Sequence, residues 1–183
     1  MSSKHRSDDR HLQDAIGGLL RGDFSRLEAL FAPGVAPGQA PQILKWLEAG
    51  RLQDPVVLAE ALTCACFLGR VEVAARLLAA GVPPSGGQGT GLNALHWAAN
   101  RGQLEAVRLL LDWHAPLETR SMYDGTVLGT AAWAAVHEPR PSHRAIIEAL
   151  LRAGARADEV ERPTGDTGLD TLLARYAGGL TTG

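Results

Sequence analysis

Residues 91–115, GLNALHWAANRGQLEAVRLLLDWHA, nearly reproduce the stretch 33 positions earlier. Leu95 falls on Leu62, Ala98 on Ala65, Ala99 on Cys66, Gly102 on Gly69 and Glu105 on Glu72. Leu110 and Leu111 fall on Leu77 and Leu78, and Ala115 on Val82. A period of this length constrains the fold more than any composition does, because one such unit is too small to bury its own apolar face. Only stacking against a neighbouring unit removes that face from water.

Within the unit the apolar spacing predicts two short helices. The first runs from about Ala94 to Arg101, with Leu95, Ala98 and Ala99 on one face; the second, from about Leu104 to Asp112, turns Val107, Leu110 and Leu111 inward. Gly102, like Gly69 before it, stops the first helix, since glycine readily takes the left-handed conformation that follows a helix end. Small residues on the facing surfaces allow the helices to approach closely.

The stretch NALHWAANRGQLEAVRLLL resembles the ankyrin motif, whose form is close to T-P-L-H-x-A-A, a glycine, and a leucine-rich second helix. The resemblance implies an all-α ankyrin-repeat solenoid of about four helix-turn-helix units with short finger turns and a C-terminal half-repeat cap. It also implies structural roles. Asn93 stands at the threonine position and caps the first helix, His96 matches the motif histidine that hydrogen-bonds backbone in the turns, and Ala94 replaces the motif proline. His96 is read as holding a shape rather than doing chemistry.

The third unit begins with TVLGTAA, residues 126–132, with Thr126 at the capping position and Gly129 where the histidine would be. Its second helix, RAIIEALLRAGA (144–155), is displaced by seven extra residues that fall within VHEPRPSH, 136–143. Pro139 and Pro141 forbid a continuous helix there and predict a loop at the edge of the stack. Backwards, GDFSRLEALFAPG (22–34) matches GRVEVAARLLAAG (69–81), with HLQDAIGGLLR before it as a degenerate first helix. The connection carries 14 extra residues, and PQILKWLEAG (41–50) reads as a short amphipathic helix in place of a finger. The expected organisation is a disordered 1–10, one domain over 11–177 and a flexible 178–183. Its units are about 11–34, 55–87, 88–120 and 121–160, with a cap at 162–177 and insertions at about 35–50 and 136–143.

The chain's 183 residues are enough to bury about 70% of its extended surface. With 18 basic against 20 acidic residues it has no field to steer onto nucleic acid or an anionic membrane. The charged start MSSKHRSDDRH predicts no secretory signal, and no window reads as a membrane span. Cys64 and Cys66 lie two apart on one helix, about 200° around its axis, so they cannot pair; a reducing, cytoplasmic setting follows. The Ala-, Arg- and Gly-rich composition points to a GC-rich bacterial genome.

Three chemical readings are weighed and set aside. GGQGTG (86–91) lacks the lysine and the preceding strand of a phosphate loop, and reads as a turn whose glycines supply positive φ. His137, Glu138 and His143 cluster in the insertion, but a proline-rich loop is a poor cage for a metal. No serine or cysteine stands at a telling distance from a histidine. No cofactor, metal or catalytic residue is expected, and no enzymatic activity.

By resemblance, partners of ankyrins commonly bind the concave face made by the fingers and the outer turns of the first helices. On this chain those positions are Phe67 and Leu68, Asn100 and Arg101, Trp133 and Ala134. The finger leading to the third unit adds Arg120, Met122 and Tyr123, and Trp113 ends a second helix near the groove. Trp, Tyr, Arg and Met are enriched in binding hot spots. The structural alternatives are that Phe67 packs beneath Trp46 and that Trp133 covers the insertion. The function expected is binding of another protein by a monomer, as adaptor, inhibitor or immunity-type protein. The rivals are an enzyme built on 136–143 and a self-associating structural protein.

Overall fold

The structure is a computed structural model and describes residues 2–19, 25–34 and 39–177. Among these residues the α-helices are α1 (Ser2–Leu19), α2 (Ser25–Phe31), α3 (Gln42–Glu48), α4 (Pro55–Phe67) and α5 (Val71–Ala79), followed by α6 (Ala94–Asn100), α7 (Leu104–Asp112), α8 (Val127–His137), α9 (His143–Arg152) and α10 (Thr167–Ala177). One 3-10 turn covers Ala157–Glu159. There is no strand among the described residues.

The first helices α4, α6 and α8, and α10 as well, start where a side chain takes up an otherwise unpaired backbone N–H, whereas α5, α7 and α9 have no side-chain cap. Asp54 Oδ1 accepts from Val56 N–H at 2.8 Å, with Pro55 in the first helical turn. Asn93 Oδ1 accepts from His96 N–H at 2.9 Å, and Thr126 Oγ1 from Gly129 N–H at 3.1 Å. Asp166 Oδ1 accepts from Gly168 and Leu169 at the start of α10. Gly69 and Gly102, at φ +66° and +72°, carry the chain from α4 to α5 and from α6 to α7.

Two rows of helices result. α1, α4, α6 and α8 pack successively against one another, and α5, α7 and α9 form the second row. Ala61, Ala65, Ala94, Ala98, Ala99, Ala131 and Ala132 are buried in the first row, where a methyl group lets neighbouring helices close up. Leu77, Leu78, Val107, Leu110, Ile146, Ile147 and Leu150 fill the space between the rows. Leu111, expected to face inward, is half-buried: it stands 100° around α7 from Leu110, at the edge of the apolar stripe.

Two features differ in detail from the sequence reading. Residues 2–10, expected to be disordered, continue α1; Leu12, Ala15 and Ile16 anchor its packed part, and each residue added to an existing helix gains a backbone hydrogen bond without a new nucleation cost. The helix of the first insertion, α3, packs against α2 and α5, so it joins the second row instead of standing in a finger. Trp46, buried in the same core as Phe67, stacks on His11. The tail 178–183, the start of GDFSR and residues 35–38 lie outside the described residues.

Candidate functional site

The finger before α8 is built by a tight turn. Asp124 N–H donates to Ser121 O at 3.0 Å, Ser121 N–H to Gly125 O at 3.0 Å, and Asp124 takes φ +60°. Met122 N–H donates to Gly91 O at 2.9 Å, joining this finger to the preceding one, and the Met122 side chain lies over Gly91. Beyond that contact Met122 remains 67% and Tyr123 77% exposed. On α8, Trp133 is 52% exposed and leans on His137 with ring centroids 4.9 Å apart. Three large apolar groups of one unit are thus left in water.

Arg120 is spent differently. Nη1 donates to Asp124 O at 2.7 Å, and Nη2 to Glu159 Oε2 at 2.6 Å on the following turn. Glu159 also pairs with Arg156, whose backbone N–H reaches Glu118. Arg120 belongs to a charge lattice that ties successive fingers together. Trp113, 43% exposed, closes α7 and therefore sits in the second row, away from the first-helix positions.

At the opposite ends of the first helices the candidates converge. Phe67 is only 4% exposed, which corrects its reading as a contact residue: its ring meets Trp97 edge-on at 4.9 Å, and the Arg101 guanidinium lies 4.9 Å from its centroid. It is a floor rather than a contact. Phe67, half-buried Leu68 and Arg101 line an open notch of about 270 Å³ together with Glu28 and Gln103. Gln103 Nε2 donates to Phe67 O at 3.4 Å. Asn100 is half-buried, with its carbonyl already taken by His143, and Ala134 is buried.

The insertion after α8 folds back onto this edge. Ser142 Oγ donates to Gly102 O at 2.5 Å, and His143 Nε2–H donates to Asn100 O at 3.0 Å. Arg140 N–H donates to His143 Nδ1 at 3.1 Å. His143 is therefore the neutral Nε2–H tautomer; burial lowers its pKa, as does nearby Arg140, against the opposing pull of the Asn100 carbonyl and Glu138. Its two nitrogens are engaged with backbone, while the His137 ring lies against Trp133. Among the described residues no three His, Cys, Asp or Glu side chains converge as a metal site would require.

His96 is fully buried, with Nδ1 2.6 Å from Asn93 Oδ1 and Nε2 3.2 Å from Gly125 O. Burial lowers its pKa, outweighing the carbonyls of Gly125 and Thr119. It links the start of α6 to the next finger. The glycine-rich run wraps α4: Gly87 N–H donates to Thr63 Oγ1 and Gly89 N–H to Glu60 Oε1 at 2.6 Å. Both amides are already taken, Gly87 by a hydroxyl and Gly89 by a carboxyl group, so neither is left to cradle a phosphate. Cys64 and Cys66 are buried free thiols, and burial pushes Cys66 up to about 12 and Cys64 higher still, so neither is a nucleophile at neutral pH.

A family model for ankyrin repeats in three copies matches residues 36–121 and 62–161, more than half of the chain. The chain belongs to the ankyrin repeat family. A search of curated proteins found no match to it. Ankyrin repeats are in general protein–protein interaction modules, and the helix rows, finger turns and left-handed glycines described above are its ankyrin framework. No described helix is long and apolar enough to cross a membrane.

Sequence reasoning missed Trp97, Gln103, Glu28 and Arg140. Trp97 could have been found, since it precedes Arg101 by four residues and shares its helix face. Arg140 gave no signal, because a proline-rich loop has no periodicity to place it.

Proposed function

We propose that this ankyrin chain binds a partner protein through the face formed by its fingers and the ends of its first helices, as an adaptor or inhibitor without catalysis. The observation that carries the reading is the group Met122, Tyr123 and Trp133, large apolar side chains of one unit that the stack leaves exposed. Covering such groups is favourable at about 25 cal/mol per Å² of apolar surface, and they stand on hydrogen-bonded turns and a packed helix. Little order has to be created on binding, so a few anchors suffice. In this reading the chain is a cytoplasmic monomer, takes no cofactor and does not bind nucleic acid. The enzyme alternative on 136–143 is disfavoured because His143 is buried, with each ring nitrogen occupied by a backbone group.

Photo-crosslinking tests the proposal. A photoreactive phenylalanine analogue placed at Tyr123 or Trp133 should trap a protein from native extract, and the same group at Arg108, on the exposed side of α7, should not. Equal trapping at all three positions, or at Arg108 alone, would refute the face assignment.

A further inference from the structure

We propose that the notch at the turn edge, with Arg101 on one side and Arg140 brought beside it by the insertion, receives an aspartate or glutamate side chain of the partner. The proposal rests on the protein-binding reading above and names the chemistry of one part of that face.

The argument begins with what holds the two arginines. The Arg101 guanidinium lies over the buried Phe67 ring, a cation–π contact that also fixes its height above the notch floor. Arg140 is exposed, and its side chain runs across Gly102: a Cβ added at Gly102 would lie 2.8 Å from Arg140 Cδ. The loop is kept there by the Ser142 and His143 hydrogen bonds to the carbonyls of Gly102 and Asn100. Two like charges are thereby held close enough to repel. Burial is the main cause that lowers the Arg101 pKa, and Arg140 is the next, ahead of the opposing pull of Glu138.

Neither guanidinium forms an ion pair among the described residues, whereas Arg76, Arg108 and Arg152 on the second-row helices all meet carboxylates. A carboxylate entering between Arg101 and Arg140 relieves the repulsion and gains charge-assisted hydrogen bonds. Phe67 is nearly covered and Leu68 half-buried, so the notch offers an entering group mainly its polar rim.

The same geometry argues against a polyanion. Glu28 lines the notch, Glu138 lies on the insertion, and the chain carries net charge −2. A continuous run of phosphates would bring many charges against these carboxylates, whereas a single acidic side chain in an otherwise neutral segment brings one charge to two arginines.

The test is selection of displayed random peptides on the full chain, followed by affinity measurement of the selected peptides on variants. Selected peptides should be enriched in Asp or Glu. They should bind Arg101→Gln and Arg140→Gln about tenfold more weakly, retain part of their affinity for Arg101→Lys, and be unchanged on Arg108→Gln. Thermal unfolding establishes that each variant is folded. Selected peptides without acidic enrichment, peptides indifferent to both arginine variants, or no selected peptide at all would overturn the proposal. Binding lost in Tyr123→Ala but kept in the arginine variants sinks this inference and leaves the protein-binding face standing; indifference to all of these variants sinks both.

Discussion

Burying a carboxyl group costs free energy unless donors meet its oxygens, and Glu60 has one donor for two. Gly89 N–H meets Oε1, while Oε2 is buried without a partner. Burial raises the Glu60 pKa, and the Gly89 hydrogen bond opposes this only partly. Between the ordinary carboxylate value and the raised one, the folded chain keeps a proton that the unfolded chain has released, so stability falls as pH rises through that window. His96 and His143 act with the opposite sign. Their folded pKa values are lowered, so the stability they contribute is present above the ordinary histidine value and is lost as pH falls through the folded values. Glu60→Gln should therefore remove the loss on the alkaline side of that window, keep the acid-side loss, and stabilise the chain at neutral pH by about 1 kcal/mol. Urea midpoints across the pH range check this; an unchanged alkaline limb would refute it. The motif made His96 legible in the sequence. Glu60 was silent there, because its burial depends on a glycine run 27 to 29 residues later closing over it.

At the scale of the element, the α6–α7 turn joins two demands in one glycine. Gly102 takes φ +72°, where a Cβ costs about 1–2 kcal/mol, and it also gives room to Arg140 and Ser142. Gly81 takes φ +92° with nothing near its missing Cβ. Gly81→Ala should therefore lose only the backbone term, and Gly102→Ala should lose more, through displacement of the insertion. Denaturant unfolding of the two variants measures the difference. Equal losses would mean that the insertion does not rest on Gly102. The two-helix unit and its stop were readable from the spacing of Leu95, Ala98, Ala99 and Gly102. The return of the loop onto Gly102 was not, since nothing in EPRPS specifies a partner in another unit.

Over the whole molecule, each unit is stabilised by its neighbours, so the ends matter more than their length suggests. The last helix, α10, buries Leu169, Leu172 and Leu173 and packs on the 3-10 turn at Ala157–Glu159, which in turn touches α8. A chain ending after Glu161 exposes the surfaces that those leucines covered, at roughly 1.5–3 kcal/mol for each large apolar side chain. Hydrogen exchange should then show α8 and α9 losing protection while α4 and α5 keep most of theirs. A uniform loss along the chain would show that the stack unfolds only as one unit.

The sequence by itself determined the helix pairs, their caps and stops and the family, because those depend on contacts within a unit or between equivalent positions of adjacent units, and a period repeats both. The exposed state of Met122, Tyr123 and Trp133 follows in part from the same register. Only the tertiary structure decided that Phe67 is floor and not contact, that Arg120 is tied into the fingers, and that Arg140 stands beside Arg101. Each of these turns on where an irregular segment comes to rest against a regular one, and that position is set by hydrogen bonds to backbone carbonyls such as those of Asn100 and Gly102, groups that every residue carries and no sequence pattern marks.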